Sequence, residues 1–519
     1  MIVRIATRMP APLRVVCVAV GVMIAMGACG GDGGTGPASA KITAHSGQNQ
    51  NGPASAPLPT PLSVLVTDAG GNPLANQVVN WSTSTGSLDP ASGPTDASGV
   101  ATTAWRLGSA TGAQESKATL GTGASVSATF SATAGAAPPT PQLVGTVVVP
   151  PNYGAHDTYV RDGIAFLCAW NTGLIILDVG GGGHGGSPSS PVELGRVITN
   201  DDGVAGGAQV HNAWWFHNPV TAENRYVFVG QEGPGSVGVS AQGDIHVVDV
   251  SDLTAPHEVA FFHLGLIGGS STGTHNFWMD EAAQTLYAAY YNGGVIALDV
   301  SGTLSGDLSS RLIANLQPGG PGNTFVWGVQ LYNGDLYASD MLSGLWQLRL
   351  DRAAGRFTIV SGGNNVPDRF GSDLWLANGY GYTGTWGSIP RGPNAGNQIK
   401  VWQLSASGAP QAANVVSIAG AGNVGDNEVS ADGKYLLAVT ERGRDEAKGL
   451  YLYRLTDRAN PTLAAFANVP GVSNQGGGLH TGTFAVIGGR RYVFAARNPG
   501  PSGASPPALV IFDVTDVTP

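Results

Sequence analysis

Residues 174–179 read Leu-Ile-Ile-Leu-Asp-Val, and an apolar run of this kind recurs through the second part of the chain. Apolar runs of this length between turn residues predict buried strands. The seven copies occupy residues 174–179, 245–250, 295–300, 345–350, 399–404, 450–455 and 509–514. Each copy follows two other strand patterns, so the copies mark four-stranded units with a period of roughly 40 to 50 residues. Seven such units predict a seven-bladed β-propeller, in which neighbouring sheets bury each other's faces.

The two ends of the repeat region predict how the ring closes. A complete unit continues beyond its third strand into an outer fourth strand, as residues 252–262 do, whereas the last unit reaches residue 519 without one. A spare strand at residues 142–149 precedes the first unit. We expect this N-terminal strand to complete the seventh blade, because splitting one blade between the two ends removes the exposed edges of an open ring.

Composition supports an all-β chain and excludes several classes of protein. The 519 residues include 78 Gly and 33 Pro, and charged residues make up only 12%. This much Gly and Pro disfavours long helices, and an apolar fraction of 42% is too high for a disordered chain. The net charge is −10 and the mature chain has no cluster of Lys and Arg, so nucleic acid is not an expected partner.

Residues 38–134 differ from the repeats because they are rich in Ser, Thr, Ala and Gly. Short alternating runs separated by turn residues predict a β-sandwich. Two turns, Asp68-Ala-Gly-Gly-Asn-Pro-Leu74 and Thr95-Asp-Ala-Ser-Gly-Val-Ala101, resemble those of the bacterial Ig-like domains of the invasin/intimin group. This resemblance implies a stalk or spacer domain. Residues 135–141 then have the composition of a short, stiff linker.

The repeated strand, with Asp-x-Thr-x-Pro after it at residues 252–256, resembles the LVIVD-repeat proteins of bacterial and archaeal surfaces. That resemblance implies a propeller architecture and an extracytoplasmic setting. The predicted fold class is therefore all-β. An Ig-like β-sandwich at residues 38–134 is followed, after the linker, by a seven-bladed β-propeller at residues 142–519 that an N-terminal strand closes.

The first residues have the features of a bacterial export signal. Three arginines precede the apolar run 15–26, which ends in small residues. Met26-Gly-Ala-Cys29 resembles the lipobox of bacterial lipoproteins, which implies that residues 1–28 are a signal peptide and that Cys29 receives the lipid. Residues 29–37 have the composition of a Gly-rich tether. We expect export and anchoring at the outer membrane or cell surface; ordinary cleavage with Cys29 unmodified is the alternative.

Four histidines share one position in the predicted propeller. His156, His211, His275 and His480 each begin the innermost strand of a blade, so we expect them to form a ring near one mouth of the central channel. Neutral imidazoles bind divalent transition metals such as Zn, Cu, Fe or Ni. Two alternatives stay open: a polar residue here can latch one blade to the backbone of the next, and the ring could be a metal-free ligand pocket. The other polar residues expected at the mouth are Asp157, Asn212, Asn276, Asp373 and Glu428.

The sequence lacks a nucleophile elbow, a His-Glu-x-x-His motif, a phosphate loop and a dinucleotide fingerprint, which favours a binding protein over an enzyme. We therefore predict a lipid-anchored surface binding or scaffold protein, whose Ig-like stalk presents the propeller to protein or carbohydrate ligands. The alternative is a metal-dependent propeller enzyme, a hydrolase or oxidoreductase, with the histidine ring as its metal ligands. The mixed charges of residues 441–448 predict a solvated loop.

Overall fold

A computed structural model of the chain describes residues 40–121, 126–136, 140–149, 154–200, 207–363, 369–387, 396–405, 408–469, 477–498 and 506–517. The predicted signal peptide, Cys29 and the Gly-rich tether lie outside these residues. Helical structure in the described ranges consists of three short 3₁₀ turns at Ser309–Arg311, Asp445–Ala447 and Thr515–Val517. In the same ranges no helix is long and apolar enough to cross a membrane.

Residues 41–135 form the two sheets of a β-sandwich, because their apolar residues alternate along the strands and collect on one face of each sheet. Trp81, Trp105 and Phe130 are the large side chains of this core. The first sheet consists, in spatial order, of Lys41–Ser46, Leu62–Thr67, Val100–Arg106 and Ser87–Asp89. The second sheet consists of Gln50–Pro53, Ser127–Gly135, Gly112–Leu120, Val78–Thr83 and Ser92–Pro94.

The two turn motifs of the sandwich are held by aspartate side chains. Asp68 Oδ1 accepts a hydrogen bond from the Asn72 N–H at 2.9 Å. Asp96 Oδ1 accepts hydrogen bonds from the N–H groups of Ser98 and Val100 at 2.8 and 2.9 Å. A carboxylate that binds the backbone two to four residues ahead stabilises a tight turn, which explains the Asp in both motifs.

The described strands between residues 142 and 513 form seven sheets of four or five strands, which we number blades 1 to 7 in chain order, and one two-stranded hairpin. Neighbouring strands of each blade pair antiparallel, apart from the short Gly306–Asp307, which adds to the edge of blade 2 in parallel. Blade 1 consists of Asp157–Arg161, Ile164–Cys168, Leu174–Asp178 and Val192–Val197; blade 2 of Val210–Asn218, Glu223–Gln231, Ile245–Asp249 and His257–Phe262; blade 3 of Phe277–Asp280, Thr285–Ala289, Val295–Asp299 and Leu312–Leu316; blade 4 of Val326–Tyr332, Asp335–Asp340, Gly344–Asp351 and Arg356–Gly362.

The remaining blades follow the same order from inner to outer strand. Blade 5 consists of Phe370–Ala377, Tyr380–Trp386, Gln398–Gln403 and Gln411–Ser417; blade 6 of Asp426–Val429, Tyr435–Thr440, Gly449–Arg454 and Thr462–Asn468; blade 7 of Leu479–Ile487, Arg490–Arg497, Ala508–Asp513 and Gln142–Val148. A small hairpin of Gly233–Pro234 and Ala241–Gln242 leaves blade 2 between its second and third strands. All the third strands predicted from the repeats are third strands in these sheets.

The N-terminal strand closes the ring, as the sequence predicts. Gln142–Val148 pairs antiparallel with Ala508–Asp513, from Gln142 opposite Asp513 to Val148 opposite Ala508. The inner strand of blade 1 packs against the inner strands of both blade 7 and blade 2. The chain therefore meets itself around the channel without an open edge between blades 7 and 1.

Apolar clusters fill the spaces between neighbouring blades. Phe228 of blade 2 and Leu298 of blade 3 are fully buried in one cluster, and Leu452 of blade 6 and Val493 of blade 7 are fully buried in another. Burying a side chain of this size contributes about 1.5 to 3 kcal/mol. Because each blade packs on both neighbours, the ring holds the first strands and their polar ends in place around the channel.

The aspartate that ends the repeated strand turns the chain toward the fourth strand. Asp249 Oδ1 accepts a hydrogen bond from the Ser251 N–H at 2.9 Å, and Asp299 Oδ1 accepts one from the Ser301 N–H at 2.9 Å. Asp513 makes the same contact with Thr515 at 3.0 Å. In the copies of the repeat that have Asp at this position, the carboxylate therefore stabilises a turn.

The Ig-like domain contacts blade 6 of the propeller. Asp89 Oδ1 lies 2.7 Å from Arg444 Nη2, and the guanidinium of Arg106 lies over the Phe466 ring at 5.3 Å. Arg444 belongs to the loop between the second and third strands of blade 6. This contact places the Ig-like domain beside the face of the propeller from which these loops emerge.

Candidate functional site

The four predicted histidines lie together at the inner strands of blades 7, 1, 2 and 3. Their ring centroids are 4.1 Å apart between His480 and His156, 4.2 Å between His156 and His211, and 4.0 Å between His211 and His275. All four are buried, and His211 is only 1% exposed. We call this row of imidazoles the histidine arc. It extends to blade 4 through Trp327, whose ring centroid is 4.3 Å from that of His275.

Irregular strand starts explain how these side chains come together. In blade 2, Val210 pairs with Gln231 and Asn212 pairs with Gly230, so His211 is an extra residue in the inner strand. In blade 7, His480 is the extra residue between two paired positions of the same kind. A β-bulge of this type bends the strand and changes the direction of a side chain. The bulges aim the imidazoles at their neighbours across the blade boundaries.

Two glutamates complete the cluster, and the sequence did not single out either as a site residue. Glu232 Oε2 lies 3.4 Å from His156 Nε2 and 3.7 Å from His211 Nε2. Its other oxygen accepts a hydrogen bond from the hydroxyl of Tyr291. Glu441 Oε2 lies 2.9 Å from His480 Nδ1. Glu441 is 8% exposed, so the predicted solvated loop is wrong at its first residue, which turns inward to the ring.

The position of these glutamates within their blades gives a weak sequence signal. Glu232 directly follows the second strand Glu223–Gln231 of blade 2, and Glu441 directly follows the second strand Tyr435–Thr440 of blade 6. Second strands end beside the start of the inner strand because the two are antiparallel neighbours. An acidic residue at that point in two blades therefore belongs to the same mouth as the histidines.

The protein environment leaves most of the arc neutral. Burial lowers the pKa of His156 and His211 well below the usual value, and the neighbouring histidines lower it further. Burial also lowers the pKa of His275, to about 3. Burial acts on His480 in the same direction, but the Glu441 carboxylate outweighs it and raises the pKa of His480. His480 and Glu441 therefore form a buried ion pair beside neutral imidazoles.

Several ring nitrogens of the arc have no hydrogen-bond partner of good geometry among the described residues. These atoms are His156 Nδ1, both nitrogens of His211, and His275 Nε2. Buried polar groups are normally paired, so each such atom needs an explanation. The latch interpretation accounts for part of the arc, since His275 Nδ1 lies 2.7 Å from the Trp327 carbonyl oxygen of blade 4. It does not account for His156 or His211.

The predicted polar residues of the mouth form a second row beside the arc. Asn276 Nδ2 donates to Asp373 Oδ1 at 2.8 Å, which joins blade 3 to blade 5 across Gly328 of blade 4. A side chain at Gly328 would strike this Asp373 oxygen, since an added Cβ would lie 2.5 Å from it. The negative charge of Asp426 helps to raise the pKa of Asp157. Asn212 is buried next to His211.

In blade 6 the residue equivalent to Asp157 is Asp426, and not the predicted Glu428. The Gly425 N–H donates to the Val439 carbonyl as the His156 N–H donates to the Cys168 carbonyl, so Gly425 takes the histidine position. Glu428 lies two residues farther along the inner strand. The sequence misplaced it because the segment before Asp426 has no strand pattern to show where pairing begins.

The carboxylates of this row are held close to one another without a basic partner in their hydrogen bonds. Asp426 Oδ2 accepts from the Gly482 N–H at 2.7 Å, and Glu428 Oε2 accepts from the Phe484 N–H at 3.0 Å, so both latch blade 6 to blade 7. Burial raises the pKa of Asp157 to about 7 and that of Asp373 to about 6, and raises that of Glu428 to about 8. Asp157, Asp426 and Glu428 are partly exposed because they face the central channel, which is itself surrounded by protein.

Comparison with sequence families bears out both resemblances. Residues 38–133 match the bacterial Ig-like domain (group 1), and residues 154–199 and 239–263 match the LVIVD repeat. The chain therefore contains a bacterial Ig-like domain and LVIVD repeats. No curated protein matches it.

Solved structures similar to this chain include two that are described as β-propeller domains. The WD40 β-propeller domain of Doa1 has 11% identity over 72% of this chain and 96% of that chain, with a TM-score of 0.43. A putative 6-phosphogluconolactonase from Bacteroides uniformis has 11% identity over 67% of this chain and 95% of that chain, with a TM-score of 0.44. The β-propeller domain of Cps50 (Swd1) from Myceliophteria thermophila has 10% identity over 72% of this chain and all of that chain, with a TM-score of 0.43. Likeness at this level carries no information about activity.

Proposed function

We propose that this chain is an exported, lipid-anchored surface protein that binds protein or carbohydrate ligands through its propeller. The observation that carries the proposal is the order of the domains, an Ig-like domain followed by an LVIVD-repeat propeller. At a coarse level this order fits a surface binding or scaffold protein. The Ig-like domain would act as a stalk, and the linker 135–141 would hold the propeller away from the membrane.

The mouth that carries the histidine arc is the proposed ligand surface. Trp386 lies there, with its ring centroid 6.2 Å from that of His480 and with the exposed Arg442 guanidinium over its face at 4.6 Å. An aromatic ring and an exposed cation suit a sugar ring or a polar protein surface. A glycan array and a cross-linking experiment with the full wild-type chain would identify the ligand. Trp386→Ala should bind that ligand more weakly than wild type does.

The anchoring part of the proposal is tested by Cys29→Ala. We expect this variant to move from the membrane fraction to the soluble fraction, because a multiply acylated cysteine holds a protein stably whereas the tether alone does not. Cys17→Ala is the matched control, since it changes a cysteine within the predicted signal peptide and not the predicted lipidation site, and it should leave fractionation unchanged. Unchanged fractionation of Cys29→Ala, with no lipid mass on the N-terminal peptide, would rule out the anchor.

A metal-dependent enzyme is the second candidate, and the clustering of His156, His211 and His480 is the observation that favours it. This candidate requires a metal ion and, beyond it, turnover of a substrate by hydrolysis or by oxidation and reduction. Activity that is lost with chelation and restored with metal would support it. Binding of a ligand by metal-free protein, with no turnover in either state, would favour the surface binding protein.

A further inference from the structure

We infer that the histidine arc and Glu232 form a binding site for a divalent transition metal of borderline softness, such as Zn²⁺. The donors are imidazole nitrogens and a carboxylate oxygen, which are the ligands that Zn²⁺ takes in proteins together with thiolate. Two overlapping sets bring their ligand atoms within 4.8 Å of one another: His156, His211 and His480, and His211, Glu232 and His275. The inference concerns this site alone and does not depend on the surface role proposed above.

The spacing of the donors fits a tetrahedral ion. Four ligands at about 2.0 to 2.1 Å from a tetrahedral metal lie about 3.3 to 3.4 Å from each other. Glu232 Oε2 is 3.4 Å from His156 Nε2 and 3.7 Å from His211 Nε2. These separations are too long for good hydrogen bonds and close to those of ligands on one ion. Only a small shortening of these oxygen–nitrogen distances would be needed for both pairs to coordinate a metal ion.

The hydrogen-bond partners of two histidines are arranged like those of metal-bound histidines. A metal-bound imidazole normally donates its other N–H to a carboxylate or a backbone carbonyl, which sets the tautomer and aims the free nitrogen. His480 Nδ1 has the Glu441 carboxylate at 2.9 Å, and His275 Nδ1 has the Trp327 carbonyl at 2.7 Å. In both arrangements Nε2 is the nitrogen left for the ion, and His480, which is protonated in its ion pair with Glu441, would release its Nε2 proton on coordination. The Tyr291 hydroxyl orients Glu232 in the same way through its second oxygen.

The unpartnered nitrogens argue for an ion and against a latch alone. A neutral imidazole always has one N–H donor and one acceptor nitrogen, and leaving them unpaired in the protein interior is costly. Among the described residues neither nitrogen of His211 has a hydrogen-bond partner of good geometry, although the ring is buried between His156 and His275 and the Asn212 side chain lies beside it. A metal ion would satisfy the acceptor nitrogens of the arc in one step. A latch would instead require a backbone partner for His211 on a neighbouring blade.

Access to the site is from the mouth. The side chains of His156, Glu232, His480 and Glu441 keep 7–10% exposure, whereas that of His211 keeps 1%. An ion would therefore enter past Glu232 and meet His211 at the closed end. His211 belongs to both ligand sets, so every placement of the ion uses it.

The test is metal binding by the full chain after chelation and dialysis, with Zn²⁺ measured by calorimetry and elemental analysis. Co²⁺ is the spectroscopic probe, because a tetrahedral site gives intense visible absorption that free Co²⁺ lacks. We expect one or two ions per chain, since the two ligand sets share His211, and either number supports the inference. A wild-type chain that takes up neither Zn²⁺ nor Co²⁺ would overturn it.

Variants separate coordination from folding. His211→Ala should abolish Zn²⁺ binding, while His257→Ala, which removes an exposed histidine on the outer strand of blade 2, should bind as wild type does. Glu441→Gln tests the positioning role and should weaken affinity about 10- to 100-fold while the Co²⁺ spectrum keeps its shape. It also serves if His211→Ala does not fold. A folded His211→Ala chain that retains wild-type affinity would refute the site.

Discussion

The carboxylate of Asp178 accepts hydrogen bonds from the backbone of the glycine-rich loop that follows it. Its Oδ1 receives the N–H groups of Gly180, Gly181 and Gly182 at 2.9, 3.1 and 2.9 Å. Its Oδ2 receives those of His184 and Gly186 at 2.8 and 3.2 Å. Burial raises the pKa of this carboxyl, but the hydrogen bonds favour the charged form more strongly and hold the pKa well below its usual range.

We expect Asp178→Ala to destabilise the propeller by about 2 to 3 kcal/mol at pH 7, because five partly buried N–H groups of the loop lose their partner. Because the folded-state pKa lies below the unfolded-state value, the contribution is complete at neutral pH. It is lost as the pH falls below about 4. Denaturant unfolding at several pH values measures the difference. Asp252→Ala, at an exposed turn, is the control and should have little effect. Equal stability of Asp178→Ala and wild type at pH 7 would contradict the account.

At the scale of single residues, the sequence predicted the four histidines of the candidate site but not its two glutamates. The histidines could be found because the repeat assigns them one position, and their buried arc follows from that register. Glu232 and Glu441 leave only the weaker signal of following a second strand, because their partners His156 and His480 belong to other blades. Which residues of different blades meet at the channel depends on how the loops fold back toward it. The amino-acid sequence alone does not show this.

The strand of Gln142–Val148 is the element on which closure of the ring depends. Gly145 lies at a bulge of this strand and approaches blade 1 so closely that an added Cβ would lie 2.1 Å from the Pro188 carbonyl oxygen. The strand therefore does more than cover the edge of Ala508–Asp513. It also packs blade 7 onto the loop that precedes the outer strand of blade 1.

Deleting residues 142–149 should lower the thermal midpoint of the propeller by about 10 °C or more, because it exposes the edge of blade 7. Deleting the Ig-like segment 38–134 should change the midpoint by less than about 3 °C, because that segment has its own core. Differential scanning calorimetry of the two deletions and the intact chain makes the comparison. If both deletions melt like the intact chain, the closing strand contributes no stability to the ring.

Regular strands were predictable and irregular ones were not. The third strands follow from apolar runs such as Leu174–Asp178, whose pattern depends only on burial on both faces. The inner strands of blades 2 and 7 begin at bulges, and a bulge adds a residue without changing composition. The inner strand of blade 6 has no bulge, and the sequence placed Glu428 where the structure has Asp426 because no strand pattern precedes Asp426. The short sandwich strands Ser87–Asp89 and Ser92–Pro94 also lack a pattern of their own, since pairing with longer neighbours creates them.

In the whole molecule, the Ig-like domain and the propeller meet through few side chains. The ion pair between Arg444 and Asp89 is exposed by 46% and 35%, so it contributes less than about 1 kcal/mol to stability. The contact between Arg106 and Phe466 is similarly small. We therefore expect the pair to set the orientation of the two domains and to have little effect on the folding of either.

Arg444→Ala should leave the thermal midpoint within about 2 °C of wild type, because the pair is exposed and weak. The same change should broaden the distribution of distances between the two domains, as measured by small-angle X-ray scattering. Arg196→Ala removes an exposed ion pair within blade 1 and is the control for loss of charge. A scattering curve identical to that of wild type would mean that the linker alone sets the orientation.

The loop of residues 441–448 has two attachments a few residues apart. Glu441 binds His480 at the channel mouth, and Arg444 binds Asp89 of the Ig-like domain. In the anchored protein proposed above, drag on the propeller is balanced by tension in the tether, and that load passes through the Ig-like domain. The loop joins the two domains in parallel with the covalent linker, which carries most of this load. A shear force at the cell surface would thus pull in small part on the carboxylate that orients His480, so that the proposed anchor and the candidate metal site are mechanically connected.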